Sequence, residues 1–172
     1  MINIFYINYF NKYSINKIFI DKEIYIMEKQ FVHDISLLIR ERLNLKSPIN
    51  IFDVLDACNI KYQAAKNLDI DVDFIHDILV YDEHYSNKYL QFTLACKLGY
   101  LLLYKFDNKF HLNLKYRVHQ LKLHFLINEF AVCLLVPDDE LIKFKNLPIK
   151  LLSNKFNVLS SVIIRRKKVL NI

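Results

Sequence analysis

The sequence predicts an α+β domain, mostly helical, with a small β-sheet packed on helices, two long core helices and a helical C-terminal lobe. Three observations predict it. Short β-forming runs, Ile60-Lys61-Tyr62 and Ile78-Leu79-Val80-Tyr81, flank what reads as an acidic loop holding Asp69, Asp71, Asp73 and Asp77. Two long apolar-rich stretches without proline, from about Asn87 to Tyr104 and from about Arg117 to Leu135, read as helices. Beyond them Pro137 and Pro148 divide the remainder into short helical pieces, because proline cannot continue a helix but opens one readily.

Taken in order, residues 1–26 have no clear periodicity and read as an N-terminal extension, with Met27 a candidate natural start. From Met27 a helix is expected, carrying Phe31, Ile35, Leu38 and Ile39 on one side and ending before Ser47-Pro48. Asn50, with Asp53 three residues on, reads as the N-cap of a short helix whose apolar residues are Phe52, Val54, Leu55 and Cys58. The helix from Asn87 contains Gly99, the only glycine in the chain. A helix-interior glycine costs about 1 kcal/mol relative to alanine, so close approach of another backbone is expected there. Asp138, Asp139 and Glu140 suit the first turn of a helix through its dipole. The last helix is expected over Asn157 to Arg166. No repeat or linker interrupts residues 27–172, which read as one domain.

Composition narrows the class. The chain has 172 residues, 53% of them hydrophobic, which is enough to bury a core. No run of about 18 apolar residues suggests a membrane span, and no signal-peptide pattern stands at the N-terminus, so a cytoplasmic protein is expected. Three widely separated cysteines, Cys58, Cys96 and Cys133, argue against a disulfide framework, and each reads as a buried free thiol. The net charge is +6. From Leu141 onward there are eight basic residues and no acidic one, so the basic excess belongs to the C-terminal lobe.

The stretch Gln91 to Tyr104 has the frame of a zinc-peptidase helix without its chemistry. An H-E-x-x-H helix sets two histidines on one face for zinc and a glutamate beside the first as general base. Those three positions here hold Cys96, Lys97 and Tyr100. Four ordered blocks then resemble the ImmA/IrrE family of zinc endopeptidases. They are Ser47-Pro48-Ile49-Asn50-Ile51; the Ile78 to Tyr81 strand with Gln91-Phe92-Thr93-Leu94-Ala95, similar to R-F-T-x-A; Asn128-Glu129-Phe130-Ala131 through Leu134-Leu135-Val136-Pro137, similar to A-N-x-F-A-x-x-L-L-M-P; and Leu152 to Val158 with Arg165, similar to the family's closing helix-turn-helix-like segment. The likeness spans about Met27 to Ile172 and implies a zincin-like metallopeptidase fold.

The same resemblance assigns the metal positions to Cys96, Tyr100 and His124, the last standing where the family has a glutamate four residues before the Asn of the third block, and the general base to Lys97. Cysteine and histidine bind zinc, but a neutral tyrosine is a poor ligand. An ammonium has no lone pair with which to take a proton from water, and its charge opposes a nearby cation. Zinc hydrolysis is therefore not expected, nor is a cofactor, unless zinc returns to a rebuilt site. Glu129, five residues from His124, is expected to face solvent or a neighbouring cap, and Cys96 with His124 is a candidate thiol pair. Asp82, Glu83 and His84 form a remoter acidic-histidine candidate, and His111 and His119 read as solvated. The implied function is non-cleaving regulation of a mobile element or prophage through a repressor-type protein partner. The alternatives are an active endopeptidase with a rebuilt site, and DNA binding through Arg165, Arg166, Lys167 and Lys168, whose cations suit phosphate. No second complete helix-turn-helix is evident, so nucleic-acid binding by this chain alone is not expected, and neither is a membrane partner.

Overall fold

Seven helices and three strands follow one another in the computed structural model, which describes the backbone of residues 20–66, 72–75, 78–110 and 117–172 and the side chains of residues 29–66, 78–103 and 123–172. Residues 1–19, most of the expected N-terminal extension, lie outside the described residues, as do Asp69, Asp71, Asp77, His111 and the side chains of Asp73 and His119.

Helix α1 spans Ile20–Arg42. Its described part includes residues 20–26, which the sequence reading assigned to the N-terminal extension. Val32 and Ile35 are buried while Phe31 and Ile39 are half-buried, so the expected apolar side does face the core. Helix α2, Ile51–Ala57, is capped by Asn50, whose side chain accepts from the Phe52 N–H. A second partner comes from far along the chain: Gln91 Oε1 accepts the Ile51 N–H at 2.8 Å, and Gln91 is itself buried.

Strands β1 (Tyr62–Ala65), β2 (Val72–Ile75) and β3 (Ile78–Asp82) form one sheet in the order β1-β3-β2. β1 pairs parallel with β3, in a register that sets Tyr62 opposite Leu79, and β2 pairs antiparallel, Phe74 opposite Leu79. Strand β2 lies inside the stretch read from sequence as an acidic loop. Val72, Phe74 and Ile75 outweigh the single Asp73 once β3 offers an edge, which is a tertiary effect that local composition does not reveal. On α2, Phe52 packs against Tyr62 and Tyr81, with ring centroids 5.1 and 5.4 Å away, and so joins the sheet to the helices.

The long helices are α3 (Asn87–Phe110) and α4 (Arg117–Leu135). α4 packs on both α1 and α3 and carries the centre of the core, from Phe130 to Val136. Its bounds coincide with the sequence reading, and α3 continues two turns past Tyr104. No helix among the described residues is long and apolar enough to cross a membrane.

Three short helices close the fold: α5 (Asp138–Lys143), α6 (Ile149–Phe156) and α7 (Ser160–Leu170). The acidic first turn of α5 does more than suit the dipole. Glu140 Oε1 accepts from Arg40 Nη2 and from Ser47 Oγ, each at 3.0 Å, while Arg40 Nη1 donates to the Leu134 carbonyl at 2.7 Å. The end of α1, the end of α4 and the start of α5 are therefore tied through one buried arginine.

Candidate functional site at the helix crossing

The two long helices meet near Cys96, the first of the positions singled out in the sequence. Cys96 on α3 donates its thiol to Asn128 Oδ1 on α4 at 3.5 Å. One turn along α3 lies Gly99, and a Cβ built there would stand 2.7 Å from Cδ1 of Phe130. The glycine is thus required by close approach, but of an aromatic ring and not of the neighbouring backbone. Phe130 is almost wholly buried, so its ring has no room to retreat.

The four positions that the sequence resemblance singles out separate around this contact. Cys96 and Lys97 are half-buried, whereas Tyr100 is 39% exposed and His124 is exposed. Cys96 is paired with Asn128 and not with His124, which removes the thiol–histidine pair suggested by the sequence. Burial pushes the Cys96 thiol up to about 12, against the lowering influence of Arg165 and Lys97 nearby. A nucleophilic cysteine needs the opposite shift. The charge around the thiol is positive, which disfavours a cation. Among the described residues no three His, Cys, Asp or Glu side chains gather closely enough to hold a metal ion. A catalytic zinc takes three protein ligands with an open fourth position, and this donor set does not supply them.

No protein-family model matches the chain, and no curated protein matches it. Its fold is similar to a solved structure, a Mycobacterium tuberculosis transcriptional regulator. The TM-score is 0.66 at 16% identity, over 80% of this chain and 46% of that one. The chain therefore spans less than half the length of that regulator, and the likeness is one of fold.

A second cluster lies at the far side of α4, and sequence reasoning missed it. Glu129 is 2% exposed and in direct contact with the Arg166 guanidinium on α7, itself 3% exposed. Arg166 Nε also donates to Asp138 Oδ1 at 2.7 Å, and Asp138 Oδ2 lies 3.4 Å from His33 Nε2 on α1. Lys29 Nζ stands 3.8 Å from Glu129. Glu129 is thus buried and paired, not solvent-facing. A signal was available: Arg166 follows Val162 and Ile163 at helical spacing on the apolar face of α7, and Glu129 is followed by Phe130, Ala131 and Val132.

The basic tail is accordingly not one surface. Arg166 leaves it, because its charge is spent inside the molecule. Arg165 is half-buried with its guanidinium 5.0 Å from the Phe125 ring centroid. Lys167 Nζ donates to the Lys145 carbonyl at 2.7 Å, and Lys168 is exposed.

The remaining sequence candidates do not converge either. His84 Nδ1 lies 2.7 Å from Asp82 Oδ1, but Glu83 pairs with Lys66 at 3.4 Å, so the trio makes no common site. Of the three cysteines only Cys133 is fully buried; Cys96 is half-buried and Cys58 exposed.

Proposed function

We propose that this chain is a catalytically silent relative of the ImmA/IrrE endopeptidases, on a zincin-like frame, that regulates a mobile element or prophage by binding a repressor-type protein without cutting it. The observation that carries this reading is the Cys96–Asn128 contact. Where the peptidases need an open ligand position beside a general base, this chain has a protonated thiol hydrogen-bonded to an amide, flanked by Lys97 and Arg165. Neither a protonated thiol nor the amide it is bonded to can take a proton from water. The exposed Tyr100 and His124 remain as contact residues for a partner. The fold's likeness to a transcriptional regulator fits a role in transcription.

The test uses the full chain, prepared without chelator or histidine tag, with metal per chain measured by mass spectrometry. The chain is then mixed with a helix-turn-helix repressor encoded beside it. The expected result is a stable complex, an intact repressor and near-zero metal. Close to one zinc per chain, lost on Cys96→Ala or His124→Ala, would overturn the proposal in favour of a rebuilt peptidase, as would chelator-sensitive cleavage. Absence of any complex would overturn the binding role.

A further inference from the structure

The sheet ends on one side at β1, and its register decides which backbone groups are left there. The Leu79 N–H donates to the Lys61 carbonyl at 2.9 Å, and the Glu83 N–H to the Ala65 carbonyl at 3.3 Å. In a parallel ladder alternate residues bond to the same neighbour, so Lys61, Gln63 and Ala65 face β3. Tyr62 and Ala64 therefore turn their N–H and C=O groups the other way. Among the described residues no strand pairs with that edge. Phe52 of α2 covers one face of the sheet through Tyr62 and Tyr81, while Gln63 and Ala64 are exposed.

Sheet edges are ordinarily blunted by proline, by lysine within the strand, by a bulge or by an inward charge. β1 reads Tyr-Gln-Ala-Ala, is neutral throughout and runs in unbroken register with β3. β2, at the opposite edge, carries Asp73 and packs against α3. Beside the start of β1 lies an open hollow of about 630 Å³ whose lining includes Asp56, Ile60, Lys61 and Tyr62. Asp56 accepts from the Tyr62 hydroxyl at 3.2 Å, whereas Lys61 is exposed and has no carboxylate within salt-bridge reach among the described residues. At the other end of the strand Lys66 already holds Glu83 at 3.4 Å.

We propose that the outer edge of β1 receives an extended segment of another protein as a further strand, antiparallel to β1, with an acidic side chain of that segment on Lys61. In antiparallel addition Tyr62 and Ala64 each exchange both main-chain bonds with the residue opposite. Main-chain bonding of this kind supplies affinity, and the side chains beside the edge supply selection. Lys61 falls at a non-hydrogen-bonded pair, where opposing side chains come closest, so an aspartate or glutamate opposite it pairs directly. That charge chooses the occupant. A second copy of this chain fits less well: in the register that sets Tyr62 opposite the other copy's Ala64, Lys61 stands opposite Ala65 and gains no carboxylate. Neither Cys96 nor His124 takes part, so strand addition stands or falls apart from the role proposed for the helix crossing.

Selection from a phage-displayed library of random linear peptides, with the full chain as bait, should enrich proline-free segments rich in β-formers and carrying an aspartate or glutamate at one fixed place. The selected peptide is then synthesised in two forms, N-methylated at its odd or at its even residues, and binding is read by fluorescence anisotropy. A strand added to one edge uses alternate amides, so one form should bind as the parent does and the other at least about tenfold more weakly. Ala64→Pro removes the outward N–H and leaves the bonds to β3, because proline is tolerated on an edge strand whose N–H faces solvent. It should cut affinity at least about tenfold with an unchanged circular dichroism spectrum, and Lys61→Glu should cut it about fivefold. No enriched peptide, equal binding by the two methylated forms, or undiminished binding by folded Ala64→Pro would each overturn the proposal. So would a dimer of the full chain in analytical ultracentrifugation that Ala64→Pro dissociates, which would assign the edge to a second copy.

Discussion

At the scale of single residues, the largest departure from expectation is Arg166. It reads in sequence as one of four consecutive cations and is instead the centre of a buried network. Its neighbours in the chain conceal this, because a run of like charges looks solvated whatever one member does. The face of α7 decides it: Ile163 and Arg166 are three residues apart and point the same way, into the core with Glu129. Removing one partner of such a pair leaves the other charge buried and uncompensated, which costs about 3–5 kcal/mol. Arg166→Ala should therefore destabilise the chain by that amount, toward the lower end because Lys29 stands 3.8 Å from Glu129 and can take over part of the pairing. Arg166→Met/Glu129→Gln should recover most of the loss, since two apolar or neutral groups of similar shape remove the uncompensated charge. Urea denaturation of the three proteins checks both statements, and a double variant no better than Arg166→Ala would show that the ion pair is not the source.

At the scale of elements, the sequence was read most easily where a local rule acts alone. The Asn50 cap, the stop of α4 before Pro137, the start of α6 after Pro148 and the acidic first turn of α5 are each fixed within a few residues of chain. Elements that depend on distant partners were harder. β2 exists because β3 offers it an edge, and the first N–H of α2 is satisfied by Gln91, forty residues away. The turn between α6 and α7 is an intermediate case. Without glycine it is not obvious as a tight turn, yet Asn157 takes the left-handed conformation that asparagine tolerates better than most residues. Asn157→Ala should cost about 1 kcal/mol, and Asn157→Gly should equal or exceed the parent in stability. Chemical denaturation distinguishes them. Equal loss in both variants would assign the stabilisation to a contact of the asparagine side chain instead of its backbone.

At the scale of the whole molecule, the ionic network ties four helices that are far apart in sequence: α1 through His33 and Lys29, α4 through Glu129, α5 through Asp138 and α7 through Arg166. The core was legible as hydrophobic periodicity, but this bracing was not, because each charged residue is isolated in the chain and finds its partner only on folding. The network also makes stability depend on pH. The hydrogen bond to Asp138 raises the His33 imidazole above its ordinary 6.5, outweighing the lowering by burial and by Arg166; Asp34 adds to the rise. A raised histidine contributes stability that is complete below its unfolded value and is lost as pH climbs through its folded one. Asp138 shifts the other way. Burial would raise its carboxyl, but hydrogen bonds from His33 and Arg166 together hold it below 3.8, so its contribution is present above that value and is lost in stronger acid. Both links are intact between about pH 4 and about pH 6.5. The midpoint of thermal unfolding should decline as pH rises beyond about 6.5, and His33→Asn should flatten that decline while leaving the acid limb in place. A decline of equal slope in His33→Asn would mean that another group, and not the α1–α5 link, sets the alkaline limit.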